Sequence, residues 1–229
     1  MLREGRLIAV SPRFNDAVGG CAGLLAARPD STVLTVYSGL PLEAGCVSAE
    51  DRDSGFSSGR QAILTRQASS ERALSLLGVR GVQMDLVDEQ YQEGGSVGRL
   101  TGALAAALSA LRPRVILMPL GLCGEPQLQV SDACLTARAL FLRVEWIAYE
   151  EVVDAEPGAV QQRLATLLRQ RILASPFDAG AEIDVARARQ RALAARSSLA
   201  PDAHAGDGSA AASRPERYWR LSWRRDVAA

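Results

Sequence analysis

The stretch "VSPRFNDAVGGCAGLL", Val10 to Leu25, decides the fold. An apolar run of strand length, "RLIAVS" (Arg6 to Ser11), feeds into it. A helix of small residues, "DAVGGCAGLLAARP", leaves it and is closed by Pro29. Strand–turn–helix corners of this kind carry chemistry in many α/β proteins, because ligands bind outside the carboxyl ends of the strands. This one presents Arg13, Phe14, Asn15, Asp16 and Ala17.

Outward from the corner, "STVLTVYSG" (Ser31 to Gly39) is rich in β-branched residues and reads as a second strand. Leu40 to Gly59 mixes Pro, Gly, Ser and acids and reads as a long loop. "RQAILTRQASSERALSLLG" reads as a helix that ends at Gly78, a glycine of the type that terminates helices. "VQMDLVD" (Val82 to Asp88) is a third strand. Leu100, Leu104, Leu108 and Leu111 recur at helical spacing before Pro113, and "RVILMPLG" (Arg114 to Gly121) reads as a buried strand. "SDACLTARALFLR" reads as a helix and "VEWIAYEE" as a strand. "AVQQRLATLLRQRILA" fits either element and is taken as helix. "AEIDVARARQRALAARSSL" reads as a short strand and a helix, and "PERYWRLSW" (Pro215 to Trp223) as a final strand that docks back.

This alternation predicts an α/β fold: a three-layer, Rossmann-like, mostly parallel sheet with helices on both faces. The expected organisation is one domain over residues 1–200, a low-complexity loop over 200–215 and a returning C-terminal segment over 215–229. The site is expected where Pro12 to Ala17, Gly39 to Arg60, Asp88 to Gly95 and Gly121 to Ser131 gather at the strand ends.

A length of 229 residues suits one large domain, or a domain with a tail. Basic and acidic residues balance at 26 each, so charge supplies no argument for nucleic acid or membrane, and neither is expected as a partner. All 26 basic residues are arginine, which excludes Schiff-base and P-loop lysine chemistry. Cys21, Cys46, Cys123 and Cys134 match neither a zinc ribbon nor a CxxC redox pair, and free thiols in a reducing cytoplasm are expected. No signal peptide opens the chain, and no apolar run reaches the ~18 residues of a membrane helix. The single histidine, His204, lies in "LAPDAHAGDGSAAASRP", a segment with little apolar surface to bury. Histidine-based zinc sites and Ser-His-Asp or Cys-His catalysis therefore have almost no material.

The order of these pieces resembles the PIG-L / LmbE-like zinc-dependent N-deacetylases, which remove acetyl groups from N-acetylglucosamine units. Their first motif, Pro-His-Pro-Asp-Asp-Glu before a Gly-rich helix, falls on "SPRFNDAVGGCAGLLA", with Pro12, Asp16, Gly19, Gly20, Cys21, Gly23 and Leu24 in matching places. "TVLTVYSG" is similar to the family's second strand. "TRQASSERALSLLGV" resembles its Arg-x-x-Glu helix, with Arg66 on the Arg and Ser69 where the Glu belongs. "LRPRVILMPLG", "VEWIAYEEV", "EIDVARARQRALAARSSL" and "PERYWRL" resemble later pieces in order.

The resemblance implies a zinc ion held by the motif's His, its second Asp and a His from a later His-x-Asp-His motif, with the first Asp as general base. Arg13 stands at the His position, Asn15 at the base position, Asp16 at the metal-binding Asp and Ala17 at the Glu. The later motif falls in "GLCGEPQLQVSDA", which has no His in any register. Zinc, the family's cofactor, is therefore not expected here, nor is any other cofactor. The candidate pocket residues are Arg13, Asn15, Asp16, Arg66 and Asp132.

Each has a plain alternative. Asp16 or Asn15 can cap the first helix, Asp132 can be a first-turn acid, and Arg66 an exposed helix residue. Cys123 can be a small buried residue at a strand end. Tyr218, Trp219 and Trp223 can pack a core or edge strand. The sharper reading of Arg13 is a guanidinium filling the metal's place and neutralising Asp16. The functional expectation is a catalytically degenerate relative that binds a sugar or nucleotide-sugar ligand, a protein partner or another copy of itself. The alternative is a hydrolase of acetylated amino sugars with an atypical or metal-free centre.

Overall fold

Strand β1 (Leu7–Ser11) is five residues long and buried along its whole length. It pairs in parallel with β2 (Thr32–Tyr37) on one side and β4 (Val115–Pro119) on the other. Its side chains alternate between two cores, as strand geometry requires. Leu7 and Ala9 pack into the layer built by helices α1 (Asp16–Ala27), α3 (Gly59–Leu77) and α7 (Val185–Ser197). Ile8 and Val10 pack into the opposite layer, under α4 (Val97–Leu111), α5 (Gly124–Ala137) and α6 (Ala159–Arg169). These positions come from a computed structural model that describes residues 2, 4–43, 45–91, 97–122, 124–151, 157–179, 185–197 and 215–223.

The described strands form a seven-stranded sheet in the order β3-β2-β1-β4-β5-β7-β6. The strands β3 (Arg80–Leu86), β2, β1, β4 and β5 (Glu145–Tyr149) run parallel. β7 (Tyr218–Trp223) enters antiparallel between β5 and β6 (Ile172–Phe177). The expected three-layer, mostly parallel α/β fold is the observed one. The order reverses between β1 and β4, so the ligand crevice of such a sheet opens at their carboxyl ends.

Several local differences matter for the site. The stretch read as one long loop contains a short helix, α2 (Ala49–Asp53), started by the Ser48 hydroxyl accepting from Asp51 N at 3.1 Å. The helix read from Ser131 starts at Gly124 instead. Pro126 lies in its first turn, where a missing N–H costs nothing, so most of the segment expected between β4 and this helix belongs to the helix. Asp132 is thus a mid-helix residue, not a first-turn acid. The stretch taken wholly as helix is α6 followed by β6, which finds its partner only in the distant β7. α3 ends as expected, with Gly78 left-handed at φ 71°. The strand expected before α7, the loop carrying His204, and Cys123 lie outside the described residues.

β3 bulges before it ends. Thr35 pairs with Gln83 but Tyr37 with Leu86, where an unbroken register would bring Asp85. Asp85 takes a positive φ of 58°, and its N–H is held by the Ser38 hydroxyl at 2.9 Å. The extra residue bends the strand end and re-aims the segment that carries Asp88. Among the described residues, no helix is long and apolar enough to cross a membrane.

Small residues let α1 lie close to the sheet. A methyl group at Gly20 would meet the Tyr149 ring, 2.9 Å from Cε2, and the Glu150 carbonyl at 3.0 Å. Gly19 has nothing within 4 Å of the same position. Gly20→Ala is therefore expected to cost about 2 kcal/mol through overpacking. Gly19→Ala is expected to be neutral or stabilising by up to about 1 kcal/mol through helix propensity. Chemical denaturation of the two variants checks this, and equal effects would contradict the packing argument.

Candidate functional site

The chain leaves β1 in a turn pinned from both sides. Tyr37 N donates to the Pro12 carbonyl at 2.8 Å. The Ser11 hydroxyl donates to the Arg13 carbonyl at 2.6 Å and accepts from Ala17 N at 3.0 Å. Ser11 thus caps α1, the role assigned from sequence to Asn15 or Asp16. Asn15 sits at the cap position in left-handed geometry, φ 75°, with no capping bond from its side chain. The Asp16 carboxylate turns backward instead, accepting from Arg13 N at 3.0 Å and from Gln127 Nε2 of α5 at 3.2 Å.

The Arg13 guanidinium does not reach Asp16 by hydrogen bond. Its Nε donates to buried Asp88 at 2.5 Å and its NH1 to Glu50 of α2 at 3.1 Å. Burial alone would lower the Arg13 pKa, but the bond to Asp88 and the charges of Asp88, Glu50 and Asp16 outweigh it and raise it. The expected direct neutralisation of Asp16 by this guanidinium is therefore replaced by a backbone contact and a longer-range field. The physical reason is competition, because Asp88, 2 % exposed, takes the Nε–H and Glu50 takes NH1.

Burial pushes the Asp16 carboxyl up to about 6, against the opposing bond and charge of Arg13 and the bond from Gln127. A second acid joins this corner from β5. Glu151 accepts from Gly121 N at 2.7 Å and Leu122 N at 3.2 Å, so it holds the turn between β4 and α5. Burial pushes it up to about 7, against those backbone bonds, and the charge of Asp16 adds to the rise. The Tyr37 hydroxyl donates to Gln129 at 2.8 Å, and burial with the acids Asp88, Glu89 and Glu125 lifts it to about 12.

The other two sequence candidates lie apart from Asp16. Arg66 donates to the fully buried Asp51 at 2.7 Å, and the Tyr91 hydroxyl donates to the other oxygen at 2.5 Å. The Arg66 guanidinium also stacks over Phe56, 5.4 Å from the ring centroid. Asp132 accepts from Arg163 of α6 at 2.6 Å, and the same arginine holds the Leu120 carbonyl and the Ser131 hydroxyl. The structure thus brings Arg13, Asn15 and Asp16 together, ties Arg66 to the corner through α2, and places Asp132 in a separate network.

Sequence reasoning placed the segments that carry Glu50, Asp88 and Gln127 at the strand ends without singling these residues out, and it missed Glu151. For Glu151 a signal existed, since an acid directly follows an apolar strand at its ligand-binding end. Gln127 had none, because its first-turn position was read as loop.

The donor set of the described residues does not fit zinc. Zinc sites take about three protein ligands from Cys, His, Asp and Glu. Asp16 is the one such residue of the matched motif, and Gln127 aims an N–H at its oxygen where a metal would need a lone pair. Among the described residues no group of three or more His, Cys, Asp or Glu is placed to hold a metal ion.

No family model matches the sequence. No curated protein matches it either. Solved structures do share the fold. A deacetylase triple mutant involved in the teicoplanin biosynthetic pathway superposes with a TM-score of 0.73 at 19% identity, covering 97% of this chain and 100% of that one. The N,N'-diacetylchitobiose deacetylase of Pyrococcus horikoshii gives 0.57 at 14% identity, covering 95% and 83%. The 4-carboxy-2-hydroxymuconate hydratase GalB of Pseudomonas putida gives 0.60 at 14% identity, covering 99% of both chains. The fold is that of the LmbE / PIG-L-like deacetylases, and it also carries a hydratase.

Two predictions follow from the charges. Arg66→Ala strands the buried Asp51 carboxylate and is expected to cost about 3 kcal/mol in denaturant melts; a loss below ~1 kcal/mol would free Arg66 from this structural role. The second concerns pH. The Glu151 carboxyl moves from 4.5 unfolded to about 7 folded, and Asp16 from 3.8 to about 6. Between those values the folded chain binds more protons than the unfolded one, so stability falls as pH rises from about 4.5 to about 7. With one histidine in the chain, these carboxyls dominate that window. Glu151→Gln is expected to remove on the order of 3 kcal/mol of this fall. A flat profile in the parent protein would contradict the assignment.

Proposed function

We propose that this chain is a catalytically degenerate deacetylase-like protein, in which the zinc centre has given way to a metal-free corner that binds a sugar or nucleotide-sugar. The observation that supports it is the hydrogen bonding of Asp16. The one acid retained from the metal motif accepts from an amide N–H of Gln127 and a backbone N–H of Arg13. The residue at the base position, Asn15, has no proton affinity at working pH. These residues follow β1, beside the switch point of the sheet, where α/β proteins bind ligands. The solved deacetylases and the hydratase support the fold alone, and activity is a matter of the residues at the corner.

One observation favours a second reading, a metal-free acid–base enzyme acting on acetylated amino sugars. Asp16 and Glu151 are raised to about 6 and about 7, the range in which carboxyls serve as general acids or bases near neutrality. That the same fold carries a hydratase is consistent with chemistry other than deacetylation.

Elemental analysis and a ligand screen test both. Protein purified without chelator is expected to carry zinc far below one ion per chain, and stoichiometric zinc that survives dialysis would overturn the metal-free reading. A panel of hexosamines, N-acetylhexosamines and nucleotide-sugars is expected to contain members that raise the melting temperature. Acetate release that disappears in Glu151→Gln would move the conclusion to the second reading.

A further inference from the structure

The amino ends of the parallel strands, opposite the corner at Arg13, hold two clefts that flank the turn joining α1 to β2. One, of about 600 Å³, lies between that turn and the start of β1, and Gly5, Arg6, Ala27 and Arg28 are among its walls. The other, of about 370 Å³, reaches toward β3 and adds Thr32, Gly78 and Arg80. Both are lined by Arg6 and Asp30, so they adjoin. Two glycines keep the walls close. A methyl group at Gly5 would meet Arg114 Cγ at 2.7 Å, and one at Gly78 would meet Arg191 NH2 at 3.0 Å. Arg6, Asp30 and Arg80 are exposed, so a ligand reaches them from solvent.

The arginines of these clefts are held in place without being neutralised. Arg6 NH1 donates to the Leu111 carbonyl at 2.8 Å, and Arg28 NH2 donates to the Gly5 carbonyl at 2.8 Å. A backbone carbonyl fixes a guanidinium but does not cancel its charge, and the other N–H donors of both stay available. Arg80 shares a face of the sheet with Arg6, because Thr32 pairs with Ile8 on one side and Arg80 on the other, and Arg6 is two residues before Ile8. Arg6, Arg28 and Arg80 make no ion pair with a described residue, Asp30 included. Arginines near helix C-termini have a plain use, since each such end carries about half a negative charge. Here α1, α3 and α4 end at Ala27, Leu77 and Leu111. Those ends, with Asp30 and Glu4, do not balance Arg6, Arg28, Arg80, Arg114 and Arg191. A positive excess of about one to two charges remains.

We infer that these clefts bind a small phosphate monoester, its phosphate between Arg6 and Arg80 in the narrower cleft and the rest of the ligand in the wider one, beside Arg28. A phosphate monoester carries close to two negative charges and three acceptor oxygens, enough for two guanidinium forks. A carboxylate carries one charge and is filled by a single fork. The volumes are those of small-ligand sites. This site lies at the other end of the sheet from Asp16, so it goes beyond the sugar reading above and either can fail alone.

Titration calorimetry in phosphate-free buffer at low ionic strength tests this. Glycerol 3-phosphate and inorganic phosphate are expected to bind with Kd below about 1 mM, and glycerol and acetate at least about tenfold more weakly. Added salt is expected to weaken the binding. Arg80→Ala, which removes a side chain with no hydrogen bond to a described residue, is expected to weaken phosphate binding at least about fivefold. Asp30→Asn removes a like charge and is expected to tighten it. Arg60→Ala, in the first turn of α3 and so at its far end from Gly78, is expected to leave it unchanged. Thermal melts confirm that the variants fold. The inference is overturned if phosphate does not bind, if acetate binds as well, or if Arg60→Ala weakens binding as much as Arg80→Ala. Binding to phosphatidic acid vesicles in preference to glycerol 3-phosphate overturns the assignment to a small ligand.

Discussion

Strand β1 can form only one way, because all five of its residues are buried and its two faces feed two different cores. A one-residue slip would exchange Leu7 and Ala9 with Ile8 and Val10 and mismatch both layers at once. The register with β2 and β4 follows from that constraint, and so does the place where the chain must turn. β1 stops at Ser11, and α1 must begin within a few residues to cover the sheet. Pro12 to Asn15 are therefore confined to a tight corner, and the Ser11 hydroxyl serves both sides of it. Arg13, Asn15 and Asp16, with the acids and the amide that bond to them, are arranged around this turn.

The permanent charge of Arg13 then organises the rest. A guanidinium cannot shed its proton, so a partly buried one needs anions. Asp88, just past the bulge at Asp85, supplies the first, while α2 supplies Glu50. The next residue on α2, Asp51, faces the other way to Arg66 and Tyr91. Two adjacent acids on a five-residue helix thus join two arginines that are far apart in sequence. Such short helices are marginal on propensity alone, so these ion pairs and the Ser48 cap are what hold α2 at the corner.

The layers, the parallel core and the returning strand at Tyr218–Trp223 were legible because apolar periodicity and the Gly and Pro breaks agree there. α2 was not legible, since its stability lies in contacts with Arg13 and Arg66 that no local pattern encodes. The start of α5 was misread because Gly124 and Pro126 are loop residues by composition and first-turn residues by position. β6 was hidden inside an amphipathic run, and only its pairing with β7 makes it a strand. At the site, the motif alignment pointed to Arg13, Asn15 and Asp16, which do share the corner. Which anion claims the guanidinium depends on burial across three strands, and burial is not a property of any one segment.

The acids of the corner show how a buried carboxylate is held with no ion pair among the described residues. A carboxylate in low-dielectric surroundings with nothing to answer its charge is costly. Here the neighbouring amide of Gln127 and the backbone of Arg13 answer part of the charge of Asp16, and its raised pKa lets a proton answer more at mild acidity. Glu151 is stabilised in the same partial way, by two backbone N–H groups on one oxygen and none on the other. Partial compensation is enough for folding, because the helices and sheet bury far more than these two groups cost.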